Sequence, residues 1–208
     1  MKKLTPGEIE QESFRIIESE AGPHDHMTSQ EWALVRRIIH ATADFDIMKT
    51  IRLHPHALAS GLSALKNGCP IYADTNMLGA GINKKAVEQR GSKIFCFVSD
   101  EDVKKESALT HETRSAIAIR KAAPRLMGGI IAIGNAPTAL HEALSLCEQG
   151  KLEPALIIGM PVGFVEALES KQRLLESSCI YITNLDRKGG TPAAAAAMNA
   201  LLTLAESA

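Results

Sequence analysis

The chain has 208 residues, of which 45% are hydrophobic and 23% are charged, as in an ordinary globular protein with a sizeable core. Its 23 basic and 24 acidic residues give a net charge of −1, which argues against nucleic acid or a membrane as the main partner. The N-terminus shows no signal-peptide pattern, and the longest mostly apolar stretch, 155–168, is too short to span a bilayer. We expect a single cytoplasmic domain over residues 1–208.

Two helices open the predicted fold. Thr5-Pro6-Gly7-Glu8 and Thr28-Ser29-Gln30-Glu31 both have the form of a capping box, in which a threonine and a glutamate three residues later bond each other's backbone amides. The first helix should end near Ala21, before Gly22-Pro23, and the second near Ala43.

Beyond residue 50, short apolar runs alternate with helical stretches. The runs predict strands at Pro70–Asp74, Lys93–Val98, Gly129–Ile133, Ala155–Gly159 and Cys179–Thr183. The helices between and after them are predicted at Pro55–Lys66, Thr113–Arg125, Pro137–Gln149, Phe164–Ser177 and Pro192–Leu204. Because the strand runs are continuously apolar, we predict an α/β fold with a doubly wound, mainly parallel sheet in a three-layer α/β/α sandwich.

Small and amide residues follow the predicted strands. They are Asp74-Thr75-Asn76, Ser99-Asp100, Gly134-Asn135-Ala136-Pro137-Thr138, Gly159-Met160-Pro161-Val162-Gly163 and Asn184. Ligands of doubly wound sheets bind outside the carboxyl ends of the strands. Each loop is also explained as a simple turn, but five together favour a ligand site.

His40 is the strongest acid–base candidate. On a helical wheel it shares a polar face with Arg36 and Arg37, whereas Leu34, Val35, Ile38 and Ile39 point to the core. The alternative is a solvated helix face, which periodicity alone supports equally well. Ser13 lies instead on the apolar stripe of the first helix, where its hydroxyl either bonds the carbonyl four residues earlier or faces a ligand.

Two basic segments could each seat a carboxylate or phosphate at a helix N-terminus, or could be plain surface. They are Arg187-Lys188-Gly189-Gly190-Thr191 and Glu112-Thr113-Arg114-Ser115.

The sequence gives little support for metals or nucleotides. His24-Asp25-His26 and His54-Pro55-His56 each lack a partner cluster that would complete a metal site. Gly79-Ala80-Gly81-Ile82-Asn83-Lys84 has lysine in place of the third glycine of a dinucleotide fingerprint. The four cysteines form no C-x-x-C pair and are expected to be free thiols. We therefore expect neither a metal site nor a nucleotide site.

Taken in order, these segments resemble the precorrin-8X methylmutase family of cobalamin (vitamin B12) biosynthesis over essentially the whole chain. The resemblance is carried by Ser13, Arg37–Asp46, Asp74–Met77, Gly81–Lys84, Thr113–Ser115, Gly134–Leu140, Pro161–Val165, Glu169–Lys171 and Arg187–Gly190. The segments around His40, Thr75–Met77 with Gly81–Lys84, and Arg187–Gly190 are more similar to the branch that uses cobalt-containing substrate.

The resemblance implies a homodimeric isomerase without a cofactor. Such an enzyme moves a methyl group from C-11 to C-12 of precorrin-8, a tetrapyrrole, and so gives cobyrinic or hydrogenobyrinic acid. His40 becomes the acid that protonates the ring nitrogen next to the migrating centre. The implied substrate contacts are Ser13, Arg37, Thr75, Asn76, Arg114, Asn135, Lys188, Gly189 and Gly190. Two alternatives stay open, a Rossmann-like enzyme acting on another anionic metabolite and a non-catalytic tetrapyrrole-binding protein.

Overall fold

The computed structural model describes residues 5–206. Within this range the helices are α1 Pro6–Glu20, α2 Ser29–Thr42, α3 Ile47–Thr50, α4 Ala57–Lys66, α5 Asn76–Gly81, α6 Lys84–Gln89, α7 Glu101–Thr110, α8 Arg114–Ala122, α9 Pro137–Glu148, α10 Ala167–Glu176 and α11 Thr191–Glu206. The strands are β1 Ile51–Leu53, β2 Pro70–Ala73, β3 Lys93–Phe95, β4 Ile130–Ile133, β5 Leu156–Gly159 and β6 Tyr181–Asn184. A short 3-10 helix, Ala123–Arg125, follows α8.

The six strands form one sheet in the order β1-β6-β5-β4-β2-β3. Every neighbouring pair is parallel except β1 and β6, which are antiparallel. The predicted α/β class and mainly parallel sheet are thereby confirmed. β1 was not predicted, because three residues with Arg52 at the centre give neither an apolar run nor a recognisable alternation.

Successive residues of the central strands feed two different cores. In β4, Ile130 and Ala132 pack with the helices α2, α4 and α11, whereas Ile131 and Ile133 pack with α8, α9 and α10. All four side chains are fully buried. Since side chains alternate across a strand, apolar residues at every position require helices on both faces.

The two N-terminal helices have the predicted caps. Thr5 with Glu8, and Thr28 with Glu31, each form a complete capping box. α2 ends at Thr42 because Ala43 takes a left-handed conformation, with φ 51° and ψ 31°. The residues expected to face the core from α2 are all buried, namely Leu34, Val35, Ile38 and Ile39.

The other departures from prediction lie in short or polar segments. α5 and α6 have six residues each, and α7 is largely polar with only Val103 buried. α10 begins at Ala167 rather than at Phe164, because Glu166 has a positive φ of 62° and Phe164 and Val165 remain in an exposed loop. No helix in residues 5–206 is long and apolar enough to cross a membrane.

The left-handed Ala43 yields a test of the end of α2. We expect Ala43→Gly to raise the free energy of unfolding by about 0.5–1 kcal/mol, because glycine adopts positive φ without the steric cost of a Cβ. The control is Ala41→Gly, two residues earlier inside the helix, which should lower it by a similar amount. Urea denaturation measures both variants, and equal signs for the two would contradict the assigned helix end.

Candidate functional site

The carboxyl ends of β2, β4, β5 and β6 lie along one edge of the sheet, which we name the carboxyl edge. The loops that leave it are 74–75, 134–136, 160–166 and 185–190. Direct backbone bonds join two of them, because the amide of Gly190 donates to Met160 O at 2.8 Å and that of Gly163 to Arg187 O at 3.1 Å. A Cβ on Gly134 would lie 2.9 Å from Thr191 Cα, so loop 134–136 also packs against the start of α11.

Asp74 ties the end of β2 to the loop after β4. Its fully buried carboxylate accepts hydrogen bonds from the backbone amides of Gly134 at 3.2 Å, Asn135 at 2.8 Å and Ala136 at 2.9 Å. Burial raises the pKa of the Asp74 carboxyl, and the three amide donors oppose that rise. The predicted contact Asn135 is thereby held at the carboxyl edge, where its side chain is exposed.

Lys171 holds the loop 185–190 from inside the protein. Its side chain is fully buried in α10, and Nζ donates to Asp186 O and Lys188 O, each at 2.7 Å. Asn184 adds a bond from Nδ2 to Lys188 O at 2.9 Å. Gly189, with φ +141°, passes so close to Met160 that a Cβ would meet Met160 O at 2.4 Å, which explains why glycine is needed there.

His40 lies half-buried in the last turn of α2, against an aromatic side chain of α1. The rings of His40 and Phe14 have centroids 5.1 Å apart. The guanidinium groups of Arg36 and Arg37 lie over the same Phe14 ring, at 4.6 and 5.8 Å from its centroid. Phe14 therefore packs on the polar face of α2, whose residues Arg36, Arg37 and His40 are half-buried.

Arg37 and Ser13 both bond within the N-terminal helices. Arg37 forms an ion pair with Glu10 of α1. Ser13 is half-buried, and its Oγ donates to Ile9 O at 2.8 Å, which is the back-bond that its helical position favours. Ile9 and Ile16, its neighbours on the stripe, are exposed, whereas Ile17 is buried, so only part of the stripe packs into the core.

Of the four cations considered for the site, Arg37 and Lys188 are ion-paired, and among the described residues Arg114 and Arg187 are not. Lys188 Nζ lies 3.0 Å from Asp44 and 2.7 Å from Asp46, so loop 185–190 meets the segment that follows α2, one turn beyond His40. These contacts raise the pKa of Lys188. Within residues 5–206, Arg114 and Arg187 make no ion pair, although Arg187 lies over the ring of Phe164, 5.7 Å from its centroid.

The remaining predicted contacts lie beside β2 and β4. Thr75 caps α5 by accepting from the amide of Leu78, and Asn76 Nδ2 donates to Ser99 Oγ at 2.7 Å. Arg114 opens α8 immediately after Thr113, whose hydroxyl donates to Thr138 Oγ1 at 2.8 Å in the first turn of α9. The structure therefore places Lys188 against the segment that follows α2, and Asn135 in the loop that packs, through Gly134, against Thr191.

Large apolar side chains are exposed in loop 160–166 and in the first turn of α5. Met77 is 73% exposed, Phe164 84% and Val165 79%, and Val162 lies next to Gly190. Contiguous exposed apolar surface in a folded protein commonly marks a binding surface. The carboxyl edge therefore combines cations, amides and apolar side chains, a combination suited to a ligand that is apolar in the middle and anionic at its rim.

The comparisons with known proteins agree along the whole chain. The sequence profile described as precorrin-8X methylmutase matches residues 8–204. The chain belongs to this family. It is 43% identical to the cobalt-precorrin-8 methylmutase of Priestia megaterium, and the match covers 99% of this chain and 92% of that protein. It is 48% identical to the cobalt-precorrin-8 methylmutase of Leptospira interrogans, and that match covers 94% of this chain and 92% of the relative. The crystal structure of precorrin-8x methyl mutase from Thermus thermophilus superposes with a TM-score of 0.87 at 39% identity, covering 96% of this chain and 98% of that one.

Family membership confirms the prediction of an enzyme of the methylmutase type, an isomerase.

Among residues 5–206, no group of three or more His, Cys, Asp and Glu side chains is placed to hold a metal ion. His24 instead stacks on Trp32, with ring centroids 4.0 Å apart, and His54 accepts from the amide of His56.

Sequence reasoning did not select Asp74 or Lys171 as site residues. Asp74 was noted as part of a strand-end loop and of the family resemblance, and its three amide bonds come from residues about sixty positions later. Lys171 had a usable signal, because Ala167, Ser170, Lys171 and Leu174 share one helical face and all four are buried. A lysine on such a face must find carbonyl or carboxylate partners inside the protein.

The buried Lys171 predicts an unusual pH dependence of stability. Burial lowers the pKa of its ammonium to about 8, whereas in an unfolded chain a lysine has a pKa of about 10.4. Between these values the unfolded chain binds more protons, so this group increases stability as the pH rises. We expect the free energy of unfolding of the wild type, relative to Lys171→Met, to increase by up to about 3 kcal/mol between pH 7 and pH 10.

Urea denaturation of both proteins across this range measures the effect, since the other titrating groups cancel in the difference. The control is Lys105→Met, which changes an exposed lysine of α7 and should show no trend relative to the wild type. A difference between wild type and Lys171→Met that does not vary with pH would show that the amine titrates normally.

Proposed function

We propose that the chain moves a methyl group from C-11 to C-12 of precorrin-8, with His40 as the acid. The observation that carries this proposal is the position of His40, which lies half-buried against Phe14, four residues before Asp44, whose carboxylate pairs with Lys188 of loop 185–190. Family membership supplies the reaction class. The products would be cobyrinic or hydrogenobyrinic acid.

The chemistry of the reaction matches a site of this kind. A methyl shift within one molecule is an isomerisation, so no atom is gained or lost and no net oxidation or reduction occurs. What the protein must supply is a fixed position for the macrocycle and one proton at the ring nitrogen beside the migrating centre. His40 is the titratable group that we assign to that proton.

The distribution of charge supports a tetrapyrrole edged with carboxylates. Arg114 and Arg187 are exposed and unpaired within the described residues, and Arg37 and Lys188 hold carboxylates of the protein itself. Met77, Val162, Phe164 and Val165 offer apolar area for the face of the ring. We assign Ser13, Thr75, Asn76, Asn135, Gly189 and Gly190 as further substrate contacts, since they lie in or beside the same loops and helices.

We propose cobalt-precorrin-8 as the natural substrate. Two relatives named cobalt-precorrin-8 methylmutase, those of Priestia megaterium and Leptospira interrogans, share 43% and 48% of residues with this chain. The cobalt belongs to the substrate, and we propose no metal or cofactor of the protein. Turnover of the cobalt-containing and metal-free forms, followed by absorbance, compares them directly; faster turnover of the metal-free form would contradict this choice.

We also propose that the chain acts in the cytoplasm as a homodimer of single domains. The support is the open carboxyl edge, where exposed apolar residues such as Phe164 leave room for a second copy beside the substrate. Sedimentation at micromolar concentration should give about twice the monomer mass, and a monomer alone would contradict the dimer. A single cooperative unfolding transition would support one domain, and cell fractionation tests the location.

His40→Ala tests the proposed function. The variant should fold and bind cobalt-precorrin-8 about as tightly as the wild type, because the cations of the carboxyl edge are unchanged. Its rate of rearrangement under single-turnover conditions should fall about 10²-fold or more, which is the usual contribution of a positioned general acid. His26→Ala, at an exposed turn, is the matched control and should turn over normally.

Two outcomes would contradict the assignment of His40. Near wild-type turnover by His40→Ala would show that another group donates the proton. A loss of both binding and thermal stability would show that His40 is structural. Binding of the tetrapyrrole without any rearrangement by the wild type would instead indicate a pigment-binding protein.

The ion pair of Arg37 predicts the effect of a change in α1. If a substrate carboxylate takes the place of Glu10 at Arg37, the exchange costs the energy of the pair. Glu10→Gln should therefore tighten substrate binding by up to about fivefold, the energy of an exposed ion pair. The control is Glu12→Gln, which frees Arg15 on the same helix and should leave affinity unchanged. Titration measures both, and unchanged or weaker binding by Glu10→Gln would exclude Arg37 as a carboxylate contact.

A further inference from the structure

Lys171 is a charged side chain placed where water does not reach. It is fully buried between α10 and the loop 185–190, and its Nζ donates to two backbone carbonyls, those of Asp186 and Lys188. Transfer of an ammonium group from water to a protein interior is costly, and a methionine could fill similar space without that cost. Buried lysines are therefore expected where the hydrogen bonds they donate fix a particular geometry.

The two carbonyls belong to the loop that carries the cations Arg187 and Lys188. Because Asp186 O and Lys188 O both turn inward to Lys171, the backbone on each side of Arg187 is anchored. The side chains of Arg187 and Lys188 themselves are exposed. The Lys171 ammonium thus fixes the backbone that carries Arg187 and Lys188, while it remains buried below their exposed side chains.

The other bonds of the loop do not replace this contact. Asn184 Nδ2 donates to Lys188 O, and backbone bonds of the Gly163 and Gly190 amides join loop 185–190 to loop 160–166. Asp186 O, by contrast, accepts its side-chain hydrogen bond from Lys171, and none of these other bonds reaches it. Removal of the ammonium would leave Asp186 O unpaired inside the protein and free to turn outward. The position of Arg187 would change with it.

We propose that Lys171 is a positioning residue for substrate binding: it holds the segment 186–190 so that Arg187 and Lys188 face the anionic rim of the substrate. The inference rests on the proposed function, and it adds that the cations of this loop act as a pair placed by one buried amine. Lys171 itself does not touch the substrate.

A double-mutant cycle tests this inference. In the wild type, Lys171→Met should raise the Kd for cobalt-precorrin-8 about tenfold, while the single-turnover rate at saturation stays within about threefold, because His40 is untouched. In a chain that already carries Arg187→Ala and Lys188→Ala, the same change should alter Kd by less than about twofold, since the groups it positions are absent. Lys105→Met is the control in both backgrounds. If Lys171→Met does not fold, Lys171→Gln, which keeps an N–H donor on a shorter chain, carries the same comparison.

Limited proteolysis gives a readout that needs no substrate. Trypsin cleaves after Arg187 and Lys188, and cleavage there should be faster in Lys171→Met than in Lys105→Met, as followed by the masses of the fragments. Unchanged cleavage would overturn the inference, as would an equal tenfold loss of affinity in both backgrounds or no loss in either. A wild-type enzyme that binds no tetrapyrrole would contradict the proposed function instead, and the proteolysis would still decide whether Lys171 holds the loop.

Discussion

The carboxyl edge depends on the buried carboxylate of Asp74. Three consecutive backbone amides, of Gly134, Asn135 and Ala136, converge on it, and without an acceptor these amides would be buried at the start of α9 with no partner. Their convergence bends the chain sharply after β4 and brings Gly134 against Thr191, where α11 begins. α11 in turn packs along α2, the helix that carries His40. The placement of His40 and that of the amide loop are thus linked through one carboxylate.

Lys171 plays the corresponding part at the other end of the edge, with the opposite charge. Asp74 gathers amides at the start of a helix, and Lys171 gathers carbonyls of a loop. Each satisfies backbone groups that the chain cannot pair within a helix or strand. Both charges lie beneath the surface, so the loops above them can carry exposed polar and cationic side chains without themselves being mobile. A rigid edge of this kind suits a reaction that requires orientation and one proton transfer.

The sequence predicted the parts of this arrangement that depend on local patterns. Apolar runs identified five of the strands, capping boxes identified α1 and α2, and the helical wheel separated the buried face of α2 from the face of His40. It could not predict that Phe14 covers that face, because the contact depends on the angle between two helices. Nor could it predict that Arg37 pairs with Glu10, or Lys188 with Asp44 and Asp46, since each pair joins segments that are distant in the chain. Local patterns give elements and faces, and long-range packing gives partners.

The pairing of these cations bears on how the site selects a ligand. When a ligand carboxylate replaces Glu10 at Arg37, or Asp44 and Asp46 at Lys188, one anion is exchanged for another and the net gain in free energy is small. A neutral or cationic ligand, however, gains nothing in return for breaking the pair. In the proposed site, the paired cations would therefore favour selectivity for anions, whereas Arg114 and Arg187, which hold no carboxylate within the described residues, would contribute affinity. A rim of several carboxylates can use both kinds of contact at once, which distinguishes a large polyanionic macrocycle from a small metabolite with a single charge.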